Sequence, residues 1–131
     1  MNKYLLDTSV IIDFLRGRTS AVELVANPEG SVATSNFCVA EVYEGFYHSH
    51  QEKQLIPRFK EFLDSCDNIH GLTPQIASTF GEIRAILKKE GQLIEDIDVF
   101  IAATCIEYGL TLVTNNLKHF SRVKGLRIYQ G

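Results

Sequence analysis

At 131 residues, with 45% hydrophobic and 22% charged residues, the chain has an ordinary globular composition and can bury a core without staples. Its longest apolar runs are too short to cross a bilayer, and an acid at position 7 breaks up any secretory leader, so a cytoplasmic protein with no membrane contact is expected. A net charge of −3 argues against tight, purely electrostatic binding of nucleic acid.

In chain order, "KYLL" (3–6) reads as a fully buried strand, and "TSVIIDFLRG" as a helix opened by a Thr or Ser cap and closed near Gly17. A short helix is expected around "SAVELVA", then a strand at "SVATS" (31–35) and a helix through "NFCVAEVYEGFYH". In "QLIPRFKEFLDSC" the apolar residues fall at helical spacing, with Pro57 confined to a first turn or a break. "NIHGL" is a weak short strand. "TPQIASTFGEIRAILKKEG" is the clearest helix, capped by Thr73, with Pro74 in its first position and Gly91 at its end. "DVFIAATCIEYG" is apolar nearly all round and so a buried helix, "LTLVT" (110–114) is a strand, and "LRIY" (126–129) a last, edge-like one.

This alternation predicts an α/β fold: one domain over 1–131, with a parallel sheet of four to five strands and helices on both faces. Cys38, Cys66 and Cys105 are scattered among apolar neighbours without C-x-x-C spacing, and read as reduced core thiols. The four histidines show no metal-ligand spacing. From Tyr108 to Gly131 the chain carries Lys118, Arg122, Lys124 and Arg127 and no acid, which is either a solvated tail or a phosphate-facing edge.

Ligands of an open parallel sheet gather beyond the carboxyl ends of its strands. Asp7 follows the first strand there, and Thr114, Asn115 and Asn116 follow the fourth. Glu41 lies inside the apolar run of a helix, and Asp98 in the first turn of the buried one. Alone, each has a plainer reading. Asp7 reads as a helix cap and Asp98 as an acid complementing a helix dipole, whereas Glu41 in an apolar run needs a partner or a metal. Glu95 and Asp96 read as cap and loop acids, with Asp96 near enough in sequence to assist Asp98. Together, three carboxylates repel one another unless a cation sits between them, and oxygen-only ligands suit Mg²⁺ or Mn²⁺. Such ions hold phosphate oxygens and activate water, which is the equipment of a phosphodiesterase.

With "LLDTSVIIDFL" (5–15), "VAEVYEG" (39–45) and "DVFIAATCIEYGLTLVTNNLKHF" (98–120) in this order, the chain resembles the PIN-domain ribonucleases, and specifically the toxins of VapBC-type toxin–antitoxin pairs. The resemblance implies metal-dependent hydrolysis of RNA at an acidic site of Asp7, Glu41 and Asp98. Asn116 and Thr114 match the T-x-[ND] block, and Ser9 a site-lining hydroxyl. Asp96 is expected to line the site as well. Arg16, Arg18, Lys118 and Arg122 are the residues available to steer substrate phosphates. Many relatives carry a fourth acid where this chain has Asn116, so one firmly held Mg²⁺ or Mn²⁺ is implied. A homodimer and a cognate antitoxin are implied partners, with RNA as substrate.

Two other uses of the fold remain open: a non-catalytic module that binds RNA or protein, for which Asn116 is the only support, and a metal-dependent DNA nuclease. A response-regulator receiver needs an acidic pair early in the chain and an Asp after a central strand, and neither is present. A haloacid-dehalogenase-type phosphatase needs D-x-D after the first strand, where position 9 is Ser.

Overall fold

Each apolar run is separated from the next by enough chain to carry a helix, and parallel pairing follows. A computed structural model describes residues 2–130. Its strands are β1 (Asn2–Leu6), β2 (Gly30–Ser35), β3 (Asn68–His70) and β4 (Thr111–Val113), all parallel, in the order β3-β2-β1-β4. The helices are α1 (Thr8–Leu15), α2 (Thr19–Ala26), α3 (Asn36–His48), α4 (Glu52–Ser65), α5 (Pro74–Lys89), α6 (Asp96–Tyr108) and α7 (Leu117–Phe120). The α/β alternation is borne out element by element. From β1 the chain steps outward through β2 to β3, then returns past β1 to β4. With right-handed crossovers, that reversal puts α5 and α6 on the opposite face of the sheet from the earlier helices.

The sheet centre is dry. Leu5 pairs with Ala33 on one side and Leu112 on the other, and Leu5, Leu6 and Leu112 are fully buried. Helix α6 is buried on almost every side, through Val99, Ile101, Ala102, Ala103, Thr104 and Cys105, and ends at Gly109 with φ +65°, a conformation that costs glycine little. Helix α5 is capped as expected: the Thr73 hydroxyl accepts from the Ile76 N–H at 3.1 Å, and Pro74 is the first helical residue. The cysteines are free, with Cys38 and Cys105 buried and Cys66 partly so. Burial pushes the Cys38 thiol up to about 12, so it behaves as an inert core group. No helix among the described residues is long and apolar enough to cross a membrane.

Three expectations need correction. Helix α1 is capped by Asp7, not by a Thr or Ser: its Oδ1 accepts from the Thr8 N–H at 2.7 Å. Pro57 lies in the second turn of α4, because that helix begins at Glu52, ahead of the apolar run that marked it in the sequence. The "LRIY" strand shrinks to one bridge, Leu112 to Ile128, framed by bonds of 2.8 Å from the Leu112 N–H to the Arg127 carbonyl and from the Tyr129 N–H to the Leu112 carbonyl. A three-residue β4 offers its outer neighbour little more edge than that.

Candidate active site

The strand order reverses between β1 and β4, and a crevice opens there beyond their carboxyl ends. Asp7 is the first residue past β1, tied to β4 by its own N–H, which donates to the Val113 carbonyl at 3.0 Å. The residue is only 6% exposed, and its side chain uses both oxygens. While Oδ1 caps α1, Oδ2 accepts from the Thr114 hydroxyl at 2.7 Å. The plain reading and the functional one therefore coexist: Asp7 is a cap and also faces the crevice.

Glu41 sits in the second turn of α3, half-buried, and its Oε1 accepts from the Thr8 hydroxyl at 2.7 Å. Thr8 thus joins the first two acids, offering its N–H to Asp7 and its O–H to Glu41. Asp98 is the third residue of α6, 9% exposed, and its Oδ2 lies 3.6 Å from Nδ1 of His119. All three acids stand in the first two turns, or at the cap, of helices that start at this edge, where the helix dipole favours negative charge.

Burial and crowding nonetheless outweigh the dipoles. Desolvation raises the Asp7 carboxyl above its usual range against the bonds from Thr114 and Thr8. Glu41 is raised chiefly by burial and further by the charges of Asp7 and Glu95. Asp98 is pushed up to about 6 by burial and by the charges of Asp7, Glu41 and Glu95, against a smaller opposing effect of His119. Four acids therefore share one field. Among the described residues, no three His, Cys, Asp or Glu side chains are drawn close enough together to hold a metal ion as they stand. The chemistry of the donors fits a divalent cation all the same: hard carboxylate oxygens, raised by burial, with the charge of Asp7 raising Glu41 and Asp98 further, as expected where a positive charge is wanted between them.

The β4 end completes the edge. The Thr114 hydroxyl that donates to Asp7 also accepts from the Asn116 N–H at 2.9 Å. The Asn116 amide meets His119 Nδ1 at 2.8 Å. Ser9 reaches the same loop, its Oγ accepting from the Asn115 N–H at 3.3 Å, and the Asn115 amide donates to Asp13 at 2.9 Å.

Some expected residues fall elsewhere. Asp96 is exposed and turned to α5, where Arg84 Nε donates to its Oδ1 at 3.0 Å. The neighbour that acts on Asp98 and Glu41 is Glu95, the residue preceding α6. Arg16 and Arg18 lie beyond the far end of α1, roughly 12 Å along the helix from Asp7 at 1.5 Å per residue. Arg16 lines a separate cavity of about 680 Å³ with Phe14, Arg58 and Phe62, and Arg18 pairs with Asp13 at 3.3 Å. Arg122 remains near the α6 start, donating to the Leu93 carbonyl at 3.0 Å, and Lys118 is exposed on α7 beside His119.

Thr8, Glu95 and His119 were not singled out by sequence. A signal for Thr8 exists in its place directly after Asp7, and one for His119 in its place three residues after Asn116, the spacing of neighbours on one helical turn.

Residues 4–126 match the family model of the PIN domain. The chain is 38% identical to Ribonuclease VapC2 of Haemophilus influenzae over 97% of its own length and 96% of the relative's. It is also 38% identical to Ribonuclease VapC1 of Methanocaldococcus jannaschii, over 98% and 88%. Among solved structures it is similar to the VapBC2 complex of Rickettsia felis bound to a DNA fragment from its promoter, with a TM-score of 0.86, 28% identity and 97% of each chain covered. With the acids converging at the β1/β4 crevice and full-length likeness of this degree, the chain belongs to the PIN domain family, among its VapC proteins.

Proposed function

We propose that this protein is a metal-dependent endoribonuclease that hydrolyses RNA phosphodiester bonds, and that it is the toxin of a toxin–antitoxin pair. The observation that carries the reading is the gathering of Asp7, Glu41 and Asp98 at one sheet edge, all three raised by burial, with the charge of Asp7 raising the other two further. A bound Mg²⁺ or Mn²⁺ would supply positive charge for phosphate oxygens and lower the pKa of a water it holds. The residues to hold it are Asp7, Glu41 and Asp98. Thr8 and Thr114 fix the rotation of Glu41 and Asp7, so the second oxygen of Glu41 and the remaining lone pairs of Asp7 keep their direction. Asn116 adds no charge; it holds the loop against Thr114 and His119. Lys118 and Arg122 are proposed to meet substrate phosphates, with Arg16 and Arg18 at the far end of α1 steering them from farther off, Arg18 through its pair with the Asp13 that holds Asn115.

The relatives named as VapC ribonucleases support RNA as substrate, and the Rickettsia felis VapBC complex supports an antitoxin partner. As the resemblance implies, the chain is proposed to act in the cytoplasm as a homodimer restrained by its cognate antitoxin, with residues 1–131 forming one nuclease domain.

The test is cleavage of a mixed RNA pool and a matched DNA pool, with and without Mg²⁺ or Mn²⁺. Wild type is compared with Asp7→Asn and Asp98→Asn, each checked for folding by circular dichroism. Ion-dependent RNA cleavage lost in both variants supports the reading. Cleavage confined to DNA moves the substrate, and full activity in chelator removes the metal from the mechanism.

A further inference from the structure

We infer that the cavity between α2 and β4 holds a guanine base of the RNA substrate, read by Glu23 and Asn27 and kept at a fixed place relative to the cut. The inference rests on the proposal that the chain hydrolyses RNA.

The cavity has a volume of about 490 Å³ and shares a wall with the acidic crevice. Thr114 and Asn115 line it, and both are tied to the crevice as well: Thr114 by its bond to Asp7, Asn115 by the N–H it gives to Ser9. From that wall the cavity extends to Asn27, whose carbonyl accepts from the Gly30 N–H at 3.2 Å. Gly30 pairs with Asn2 at the start of the five-residue β1, so the cavity spans about the length of that strand, roughly 16 Å at about 3.3 Å per residue. A strand of RNA cut at the crevice can lay a neighbouring base in it.

Charge decides which part of a nucleotide enters. Among the described residues no Lys or Arg lines the cavity, whereas Asp13 and Glu23 do, so a phosphate is repelled and a base is not. Asp13 is already committed, Oδ1 to Arg18 at 3.3 Å and Oδ2 to the Asn115 amide at 2.9 Å. Glu23 is exposed on α2 and has no ion-pair partner among the described residues.

Asn27 lies four residues after Glu23, a neighbouring place on the same side of the helix. Its Oδ1 accepts from the Glu29 N–H at 2.9 Å, which leaves Nδ2 to donate. One side of α2 thus offers a donor beside a two-oxygen acceptor. The Watson–Crick edge of guanine is the complement, since O6 accepts while N1–H and N2–H donate side by side. Adenine and cytosine would turn a ring-nitrogen lone pair on the carboxylate, and uracil a carbonyl oxygen. Unstacked bases of single-stranded RNA are recognised at this edge while they stack on aromatic side chains. Tyr129 supplies the ring: it lines the cavity and is held edge-to-face against the buried Tyr4, with centroids 5.3 Å apart.

Two measurements on wild type, Glu23→Gln and Asn27→Asp test the pocket. One is sequencing of the ends released from a randomised single-stranded RNA in Mn²⁺. The other is binding, in chelator, of the RNA hexamer GUGUGU and of IUIUIU, whose inosines lack only the guanine N2 amino group. Guanine should be enriched about 10-fold at one place relative to the cut, and GUGUGU should bind about 10-fold more tightly than IUIUIU, the size expected of a bidentate base contact. Both differences should shrink to about 2-fold in Glu23→Gln, which keeps the shape but loses an acceptor, and the enrichment should fall in Asn27→Asp, which keeps the bond to Glu29 but loses the donor. Cleavage by wild type without guanine enrichment overturns the pocket and leaves the ribonuclease standing. Enrichment that persists in both folded variants assigns the recognition to other residues and overturns it too. RNA left uncut by wild type overturns the reading beneath, and the hexamers then decide the pocket alone: a guanine preference lost in Glu23→Gln upholds it as an RNA-binding site, and equal binding of the two hexamers overturns it.

Discussion

The hydroxyl of Thr114 donates to Oδ2 of Asp7 at 2.7 Å and so joins residues 107 positions apart in the chain. The bond crosses the crevice where the strand order reverses. It satisfies the second oxygen of a carboxylate whose first oxygen is committed to capping α1. Because Thr114 also accepts from the Asn116 N–H, one hydroxyl sets both the acid after β1 and the loop after β4.

Replacing that hydroxyl by a methyl group tests the link. Thr114→Val keeps the shape but leaves Asp7 with a buried, unpartnered oxygen and Asn116 with a free N–H. A loss of about 1–3 kcal/mol is expected, the range for stranding a buried polar partner, while Thr114→Ser should stay within about 1 kcal/mol of wild type. Urea unfolding of the three proteins in chelator measures the difference. Equal stabilities would mean that the Asp7–Thr114 bond is replaced by water at no cost.

Asp98 sets a pH dependence with a definite sign. Its folded value is raised from 3.8 to about 6, so the folded state resists ionisation that the unfolded chain undergoes freely. The associated stability is fully present below about pH 4 and is lost as pH rises through about 6. An upper bound on that loss is about 3 kcal/mol for a shift of this size, since each pKa unit is worth about 1.4 kcal/mol. Thermal melts of metal-free protein should therefore show Tm falling between pH 4 and 6.5 relative to Asp98→Asn, whose own curve lacks this component. Saturating Mn²⁺ should reverse the slope, because the ion competes with protons for the same oxygens. A metal-free Tm that rises across the window as steeply in wild type as in the variant would contradict the raised value.

Much of the architecture was legible because hydrophobic runs and caps are local signals. Thr73, Pro74 and Gly91 marked the ends of α5 within the sequence, and the nearly unbroken apolar run after Asp98 could only be a buried helix. Asp7 and Asp98 stood out for the same reason, as charges at the edges of such runs. Information carried by partners distant in the chain was not legible. Asp96 and Glu95 are adjacent and chemically alike, and what separates them is Arg84 on α5, which takes Asp96. His119 was weighed against the other histidines, whereas its neighbours are an aspartate on α6 and an asparagine one turn away. The reach of Arg16 and Arg18 depends on α1 carrying them away from the crevice, which the order of residues alone does not reveal.

The division of labour between those adjacent acids can be measured. Glu95→Gln removes a charge that raises both Glu41 and Asp98, so it should weaken Mn²⁺ affinity several-fold, by roughly the 10-fold seen for groups just outside a metal's ligands. Asp96→Asn disrupts an exposed pair with Arg84, worth at most about 1 kcal/mol, and should leave Mn²⁺ affinity within about 2-fold. Calorimetric titration of both variants decides the matter, and a larger effect in Asp96→Asn would restore that residue to the site.

Stacked aromatic rings hold the site's helices together, and their removal gives the last expectation. The Phe100 ring lies between Phe37 of α3 and Phe80 of α5, with centroids at 4.5 Å and 4.0 Å and planes within 5° and 17° of parallel. Phe37 is one helical turn before Glu41, and Phe100 is two residues after Asp98, so the stack sets the separation of two site acids carried on different helices. Phe100→Ala should cost about 3 kcal/mol, the low end for losing a large core ring, since Phe100 is only partly buried. Phe100→Leu keeps most of the buried area and forfeits the ring contacts, worth about 0.5–1.5 kcal/mol for each pair. Mn²⁺ affinity should fall in the same order, wild type then Leu then Ala, because loosening α3 against α6 widens the gap the carboxylates must span. Affinity unchanged in a destabilised but folded Phe100→Ala would show that the acids are positioned by Thr8 and the sheet edge alone, with the rings contributing stability only.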